Sequence, residues 1–436
     1  MKNYKIVKII NICLGSIFDL KLKQYPDFKK LNYDKMLELA FANNMMIYSD
    51  GFHRSFNELG QDAREIIPDF EILQKQWAKE NGIRYDSENW MIDILMAQIK
   101  TIKPDIIYLE GTEWSIPGRF FPLRNNDNLI KILKEEYPFI KKVIIYSGYP
   151  STITRLSNAD FLFCASPGNL NKYKSQGLDT LMQSELLYHS FDEIILKRLK
   201  GFGKQYDFTF LGSSRAPESR YYALRQLFEQ TGLRAWINEQ ETVAGNNSIK
   251  QNFRNLLKRA FQIFNYDQVN NIANLKYLPI KIRNIFYEIA KENYAFKGVN
   301  RKNGFPTLLK ELYPDSCHPP VMGVDMYKIL SQSKIVFNKH ADAAFGNVGN
   351  MRMFEATGVG TCLLTDTGTN ISDLFEEDNE VVTYRTIDEA VEKVNYLLDH
   401  PHETEQIAKA GQARTLKDHT IMNRCQQIDE VIQRLL

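Results

Sequence analysis

Between positions 339 and 370 the chain concentrates side chains that suit an anion and a polyhydroxylated ligand. The stretch KHADAAFGNVGN, Lys339 to Asn350, offers Lys339, His340, Asn347 and Asn350, with Gly346 and Gly349 permitting close backbone approach. It runs into NMRMFEAT, where Met351 opens a helix whose first amides and dipole favour negative charge. Connections in α/β folds usually take about two to six residues, so a loop of this length suggests a purpose. Glu355 follows among Met353, Phe354 and Ala356, an apolar setting in which a carboxylate needs a partner. A ribose diol, with two hydroxyl donors, is one such partner. Arg352, one helical turn earlier, is another.

Further loops repeat the chemistry. DTGTN, Asp366 to Asn370, adds Thr367 and Gly368. GSSR puts Gly212, Ser213 and Arg215 after an apolar strand, with Arg220 a turn beyond, and small-residue amides plus guanidinium groups are what a diphosphate requires. The same residues also fit a plain strand-to-helix turn carrying a solvated arginine. As proton-transfer groups the sequence offers His340 and, in DIIYLEGTEW, Glu110 and Glu113, of which Glu113 and His340 are the candidates for catalysis. A loop histidine can equally be solvated or capping, and a loop glutamate simply solvated. Cys13, Cys164, Cys317, Cys362 and Cys425 are scattered without a CxxC pair, so no metal site and no disulfide framework is expected.

What must position these groups is a repeated alternation of amphipathic helix and apolar strand, the mark of an α/β fold with a parallel sheet covered on both faces. Trp90, Met91, Ile94, Leu95 and Ile99 recur at helical spacing until Pro104, and the strand DIIYLE follows. A helix over 127–137 then leads to KVIIY, and DFLFCA comes next. The series resumes with YDFTFL at 206–211, LRAWI at 233–237, KIVFN at 334–338, TCLLT at 361–365 and EVVTY at 380–384. Gly358 closes the helix begun at Met351, and Thr386 with Glu389 forms a capping box. Residues 5–18, interrupted by Lys8 and Asn11, read as a buried strand and loop, not a signal peptide.

A chain of 436 residues exceeds what one core usually organises, and the glycine-bearing GFGKQ at 201–205 is the candidate linker. The expected division is 1–203, 204–418 with a helical insertion at about 240–318, and 419–436. Fifty-five Lys and Arg against 53 Asp and Glu leave a net charge of +2, too little for a nucleic-acid partner, although 250–260 and 281–302 are locally basic. No apolar window approaches the length of about 20 residues that a bilayer needs, so a cytoplasmic protein is expected, with peripheral membrane association left open.

From 321 to 424 the chain resembles the C-terminal half of the CgeB-like glycosyltransferases, relatives of the retaining GT-B transferases of group 1. The resemblance rests on MGVDMYKILSQSKIVFNKH, NMRMFEATGVGTCLLTD, LFEEDNEVVTY and IAKAGQARTLKDHTIMNR, in the family's order and approximate spacing. It implies two Rossmann-like, doubly wound domains facing across a cleft, and a nucleotide-diphosphate sugar held chiefly by the second. It also implies no obligatory metal or other cofactor, and a last helix crossing back to the first domain. The acceptor would be a glycan, a lipid-linked sugar or a protein. Glu355 would be the ribose ligand, and Arg215 or Arg220 would meet the diphosphate. Group 1 enzymes often carry an acidic pair spaced E-x7-E; its second member corresponds to Glu355 and its first to Asn347, which keeps hydrogen bonding but not charge. A nucleotide-sugar epimerase or hydrolase, or an inactive binding or scaffold protein, would use the same architecture.

Overall fold

The computed structural model of the chain describes residues 2–10, 24–43, 49–87, 89–110, 126–148, 158–199, 203–214, 218–239 and 307–436 apart from 342 and 343, with isolated positions elsewhere. The described strands are β1 Lys5–Ile9, β2 Asp62–Ile66, β3 Ile106–Glu110, β4 Lys142–Ser147, β5 Phe161–Cys164, β6 Gln183–Leu186, β7 Tyr206–Ser213, β8 Arg234–Asn238, β9 Cys317–His318, β10 Ser333–Asn338, β11 Cys362–Asp366 and β12 Val382–Tyr384. They form two six-stranded sheets, ordered β2-β1-β3-β4-β5-β6 and β12-β11-β10-β7-β8-β9. All neighbours in the first are parallel. In the second, β12, β11, β10 and β7 run parallel, as do β8 and β9.

Two compact units result, Met1–Thr209 with Val321–Leu436, and Phe210–Pro320, the division falling inside β7. In the larger unit, alternate residues of the first sheet serve two cores, which is why its central strands are apolar on both faces. Val7, Ile9, Ile107, Leu109, Val143 and Ile145 pack with Leu95 and Ile99 of the helix Trp90–Ile102 and with Leu129, Ile130 and Leu133 of the helix Asn126–Glu136. Ile6, Ile106, Tyr108, Ile144, Phe161 and Phe163 pack instead with Phe52 and Phe56 of the helix Gly51–Glu58, and with Cys425, Ile428, Val431 and Ile432 of the final helix Ile421–Leu435. Sealing both faces removes each large side chain from water, a contribution of about 1.5–3 kcal/mol apiece.

Three strands were not expected. DAREI of β2 and QSEL of β6 edge the first sheet, and β9 edges the second; edge strands keep a solvated side and so lack an apolar run. β9 and the helix Leu309–Leu312 also lie inside the stretch 240–318 expected to be a helical insertion, most of which is outside the described residues. Gly358 has a different reason from the one expected. The helix Met351–Gly358 does end there, but the left-handed turn is made by Gly360 at φ +74°, and at 358 any side chain would collide with the Phe191 ring. Phe191 is fixed in turn by pairing with the chain before the final helix: its amide donates to the His419 carbonyl at 2.9 Å, and its carbonyl accepts from Ile421 at 2.9 Å.

Candidate functional site

β10 and β11 lie side by side with Asn338 opposite Thr365, so the loops that leave their carboxyl ends start as neighbours. Ligands of parallel sheets collect at such ends. The two loops are tied together by His340, Asp366 and Asn370. The His340 amide donates to both carboxylate oxygens of Asp366, at 2.9 and 3.0 Å, and its Nδ1 lies 2.7 Å from Asp366 Oδ1. On its other side, Nε2 accepts from the amides of Gly349 and Asn350 at 3.0 and 3.3 Å. These partners require the proton on Nδ1 and a neutral ring. Burial pushes the Asp366 carboxyl up, but the hydrogen bonds it accepts from the His340 side chain and amide, with the Lys339 charge nearby, outweigh it and hold the carboxyl below its ordinary range.

Asn370 completes the tie. Its Oδ1 accepts from the Val348 amide at 2.8 Å, and its Nδ2 donates to the Val348 carbonyl at 3.0 Å and to the Tyr188 hydroxyl at 3.1 Å. Between these residues Gly368 lies so close to the long loop that a Cβ there would sit 2.7 Å from Val348 and 3.0 Å from the Gly346 carbonyl. Thr367 is half-buried, its hydroxyl 3.3 Å from Glu377. Asn350 caps the helix Met351–Gly358 by accepting from the Met353 amide at 3.4 Å, and exchanges amide hydrogen bonds of 3.1 and 2.9 Å with buried Asn338.

Glu355 is buried on that helix, its Oε2 2.7 Å from Arg352 Nη1. Of the two partners the sequence suggests, the chain itself supplies the arginine. Asn347 turns its amide back to the Phe345 carbonyl at 3.1 Å. The structure thus brings Lys339, His340, Asn347, Asn350, Met351, Glu355, Thr367 and Gly368 into one pair of loops and the helix that follows. Both ring nitrogens of His340 are engaged within the loops, so the ring is not the solvated group that the sequence also allows. Asn370 lies in the DTGTN loop that the sequence marks, whereas Asn338 and Tyr188 belong to this network without any spacing signal to mark them.

Gly212, Ser213 and Arg220 lie in the smaller unit. Arg220 Nη1 donates to the Ser213 carbonyl at 3.2 Å. Next to them, Ser214 donates to Glu239 Oε1 at 2.7 Å, and the same carboxylate accepts from the amides of Leu309 and Lys310 at 3.1 and 3.0 Å. Arg215 and Glu113 lie outside the described residues. Glu110 is not the solvated loop glutamate that its position suggests. It ends β3 buried, with Oε2 2.7 Å from the ammonium of fully buried Lys8, which also lies 3.5 Å from Glu65.

Among the described residues, no group of His, Cys, Asp or Glu is arranged to hold a metal ion, and no helix is long and apolar enough to cross a membrane.

A family model described as glycosyl transferase-like matches residues 284–430, which include the two loops and the Glu355 helix. No curated protein matches. Among solved structures, a glycosyltransferase from Rickettsia africae ESF-5 superposes with a TM-score of 0.50 at 9% identity, covering 100% of this chain and 99% of that one. The fold is GT-B. Sucrose-phosphate synthase from Thermosynechococcus elongatus, at 9% identity and TM-score 0.49, covers 99% of this chain and 98% of its own. HepE from Anabaena in complex with UDP-glucose, at 11% identity and TM-score 0.49, covers 99% and 100%.

Proposed function

We propose that this chain is a glycosyltransferase that moves a sugar from a nucleotide-diphosphate donor to a glycan, lipid-linked or protein acceptor, with the donor held by 204–418. One observation carries the reading: a buried carboxylate, Glu355, stands on the helix entered from two loops that His340, Asp366 and Asn370 lock together at the carboxyl ends of β10 and β11. The glycosyl transferase-like match over 284–430 and the GT-B fold support it.

In this reading Glu355 accepts both ribose hydroxyls, with Arg352 holding its carboxylate in place before the nucleotide arrives. Lys339 and the first turn at Met351 meet the diphosphate, whose negative charge grows as the glycosidic bond breaks. Thr367, Gly368, Asn347 and Asn350 line the sugar. Reaction with retention and without a metal is the form proposed, because it needs no side chain as nucleophile; Glu113 stays the candidate for contact with the acceptor. The protein would work in the cytoplasm or at the inner face of a membrane.

A second reading, a nucleotide-sugar binder without turnover, is favoured by one feature: Asn347, where related transferases carry an acidic residue, spends its amide on its own loop. Incubation with a panel of UDP and GDP sugars separates the two. Release of the nucleoside diphosphate with an α-configured product from an α-linked donor is expected, whereas tight binding with no release from any donor would establish the second reading.

A further inference from the structure

Tyr188 belongs to the part of the chain that precedes 204–418, yet its side chain lies against both of the paired loops. It sits two residues past β6, where the Leu187 amide donates to the Cys164 carbonyl at 2.8 Å and so continues the pairing with β5. The final helix locks the same stretch: Arg424 Nε donates to the Tyr188 carbonyl at 2.9 Å, and its Nη2 donates to the His189 carbonyl at 3.1 Å. Leu187 and Ile428 share one core, so the backbone of Tyr188 is tied to the first sheet and to the helix Ile421–Leu435 together. Its side chain is presented from a rigid base.

That side chain meets the loops twice. Its hydroxyl accepts from Asn370 Nδ2 at 3.1 Å, and this is the asparagine that holds the Val348 amide and carbonyl. Burial raises the pKa of the hydroxyl, the Asp373 carboxylate adding to the effect against Asn370, so the group stays neutral. Its ring packs beside Gly349, where a Cβ would lie 3.2 Å from Tyr188 Cδ1 and 3.3 Å from Leu374 Cδ1, and where φ of +123° favours glycine in any case. Val348 and Gly349 immediately precede Asn350, the cap of the helix that carries Glu355. Holding these two residues therefore fixes where that helix begins. Nearer the middle of the same loop the helix Pro167–Lys174 comes equally close: a Cβ on Gly168 would lie 2.9 Å from the Ala344 carbonyl and 3.0 Å from Asn347 Nδ2.

We infer that Tyr188 is a positioning residue of the nucleotide-sugar site, setting the start of the Glu355 helix through Asn370 and Gly349 from outside the segment that holds the donor. The inference rests on the glycosyltransferase reading for the nucleotide; the hold on the loop stands on the Asn370 hydrogen bond and the Gly349 contact.

The test joins calorimetric titration of UDP and GDP into the full chain with hydrogen–deuterium exchange of its peptides, for the wild type, Tyr188→Phe, Asn370→Ala and the double variant. Tyr188→Phe keeps the ring on Gly349 and removes only the hydroxyl. In that variant, exchange over 346–351 should quicken by about fivefold or more while the strand Lys142–Ser147 keeps its wild-type rate. The Kd of the nucleotide that binds should rise by about fivefold or more, the loss of one neutral hydrogen bond. Because the hydroxyl acts through Asn370, Tyr188→Phe should change neither quantity further once Asn370 is alanine, an outcome that a general loosening of the fold would not give. If either single variant fails to fold, the other carries the exchange and affinity measurements alone. Unchanged exchange over 346–351, a nucleotide bound equally tightly by wild type and variant, or additive effects in the double variant overturns the inference, and nucleotide binding by the wild type then leaves the transferase reading intact. Quickened exchange with neither nucleotide bound by the wild type supports the hold on the loop and counts against that reading.

Discussion

His419 is held in one protonation state from both sides. Its Nδ1 accepts from Arg424 Nη2 at 2.8 Å, and its Nε2 lies 3.0 Å from the Leu374 carbonyl, to which it must donate. Burial and the Arg424 charge push its pKa down to about 4, and the same two causes bring His189 to about 4. In the unfolded chain both would titrate near 6.5. Between those values the unfolded state binds more protons, so stability is complete above about 6.5 and is lost as pH falls toward 4, with a limiting slope of about 1.4 kcal/mol per pH unit for each histidine. Asp366 acts in the same direction at lower pH, because its depressed carboxyl gives stability that disappears on protonation. Thermal melts from pH 7.5 to 4.5 should show a steep fall in Tm, and His419→Gln should reduce the slope. A Tm independent of pH across that window would contradict this account. At this scale the sequence was partly legible. An apolar neighbourhood signalled that Glu355 needs a partner, and Arg352 is at hand. Lys8 showed only as an interruption of an apolar run, because nothing in its own strand reveals that Glu110 and Glu65 lie beside it.

The helix Met351–Gly358 is the element on which the site depends, and its far end is fitted against Phe191. A methyl group at Gly358 would meet that ring, and Phe191 cannot retreat while its backbone pairs with His419 and Ile421. Gly358→Ala should therefore destabilise the fold by about 1–3 kcal/mol, the usual cost of overpacking, although alanine is the better helix former. Urea unfolding would show it, and an unchanged or raised midpoint would mean that the ring moves freely. Interior strands of both sheets were legible because burial on two faces leaves a continuous apolar run. The edges β2, β6 and β9 were not, since their composition answers to solvent as well as to the sheet.

Across the whole molecule, the alternation of helix and strand is enough to specify a parallel α/β architecture, and the structure shows two such six-stranded sheets in the GT-B arrangement. The loop network was less legible. His340, Asp366, Asn370 and Val348 meet through pairings between residues 9 to 26 positions apart, which no periodic pattern encodes. A nucleotide sugar bound only by the folded chain adds about 2.7 kcal/mol of stability at about a hundredfold excess over Kd, enough to raise Tm measurably. In a thermal-shift panel of UDP and GDP sugars, at least one should raise the wild-type Tm by several degrees, and Glu355→Ala should abolish that rise while melting on its own as a folded protein. An equal rise in the variant would contradict the assignment of Glu355 to the nucleotide.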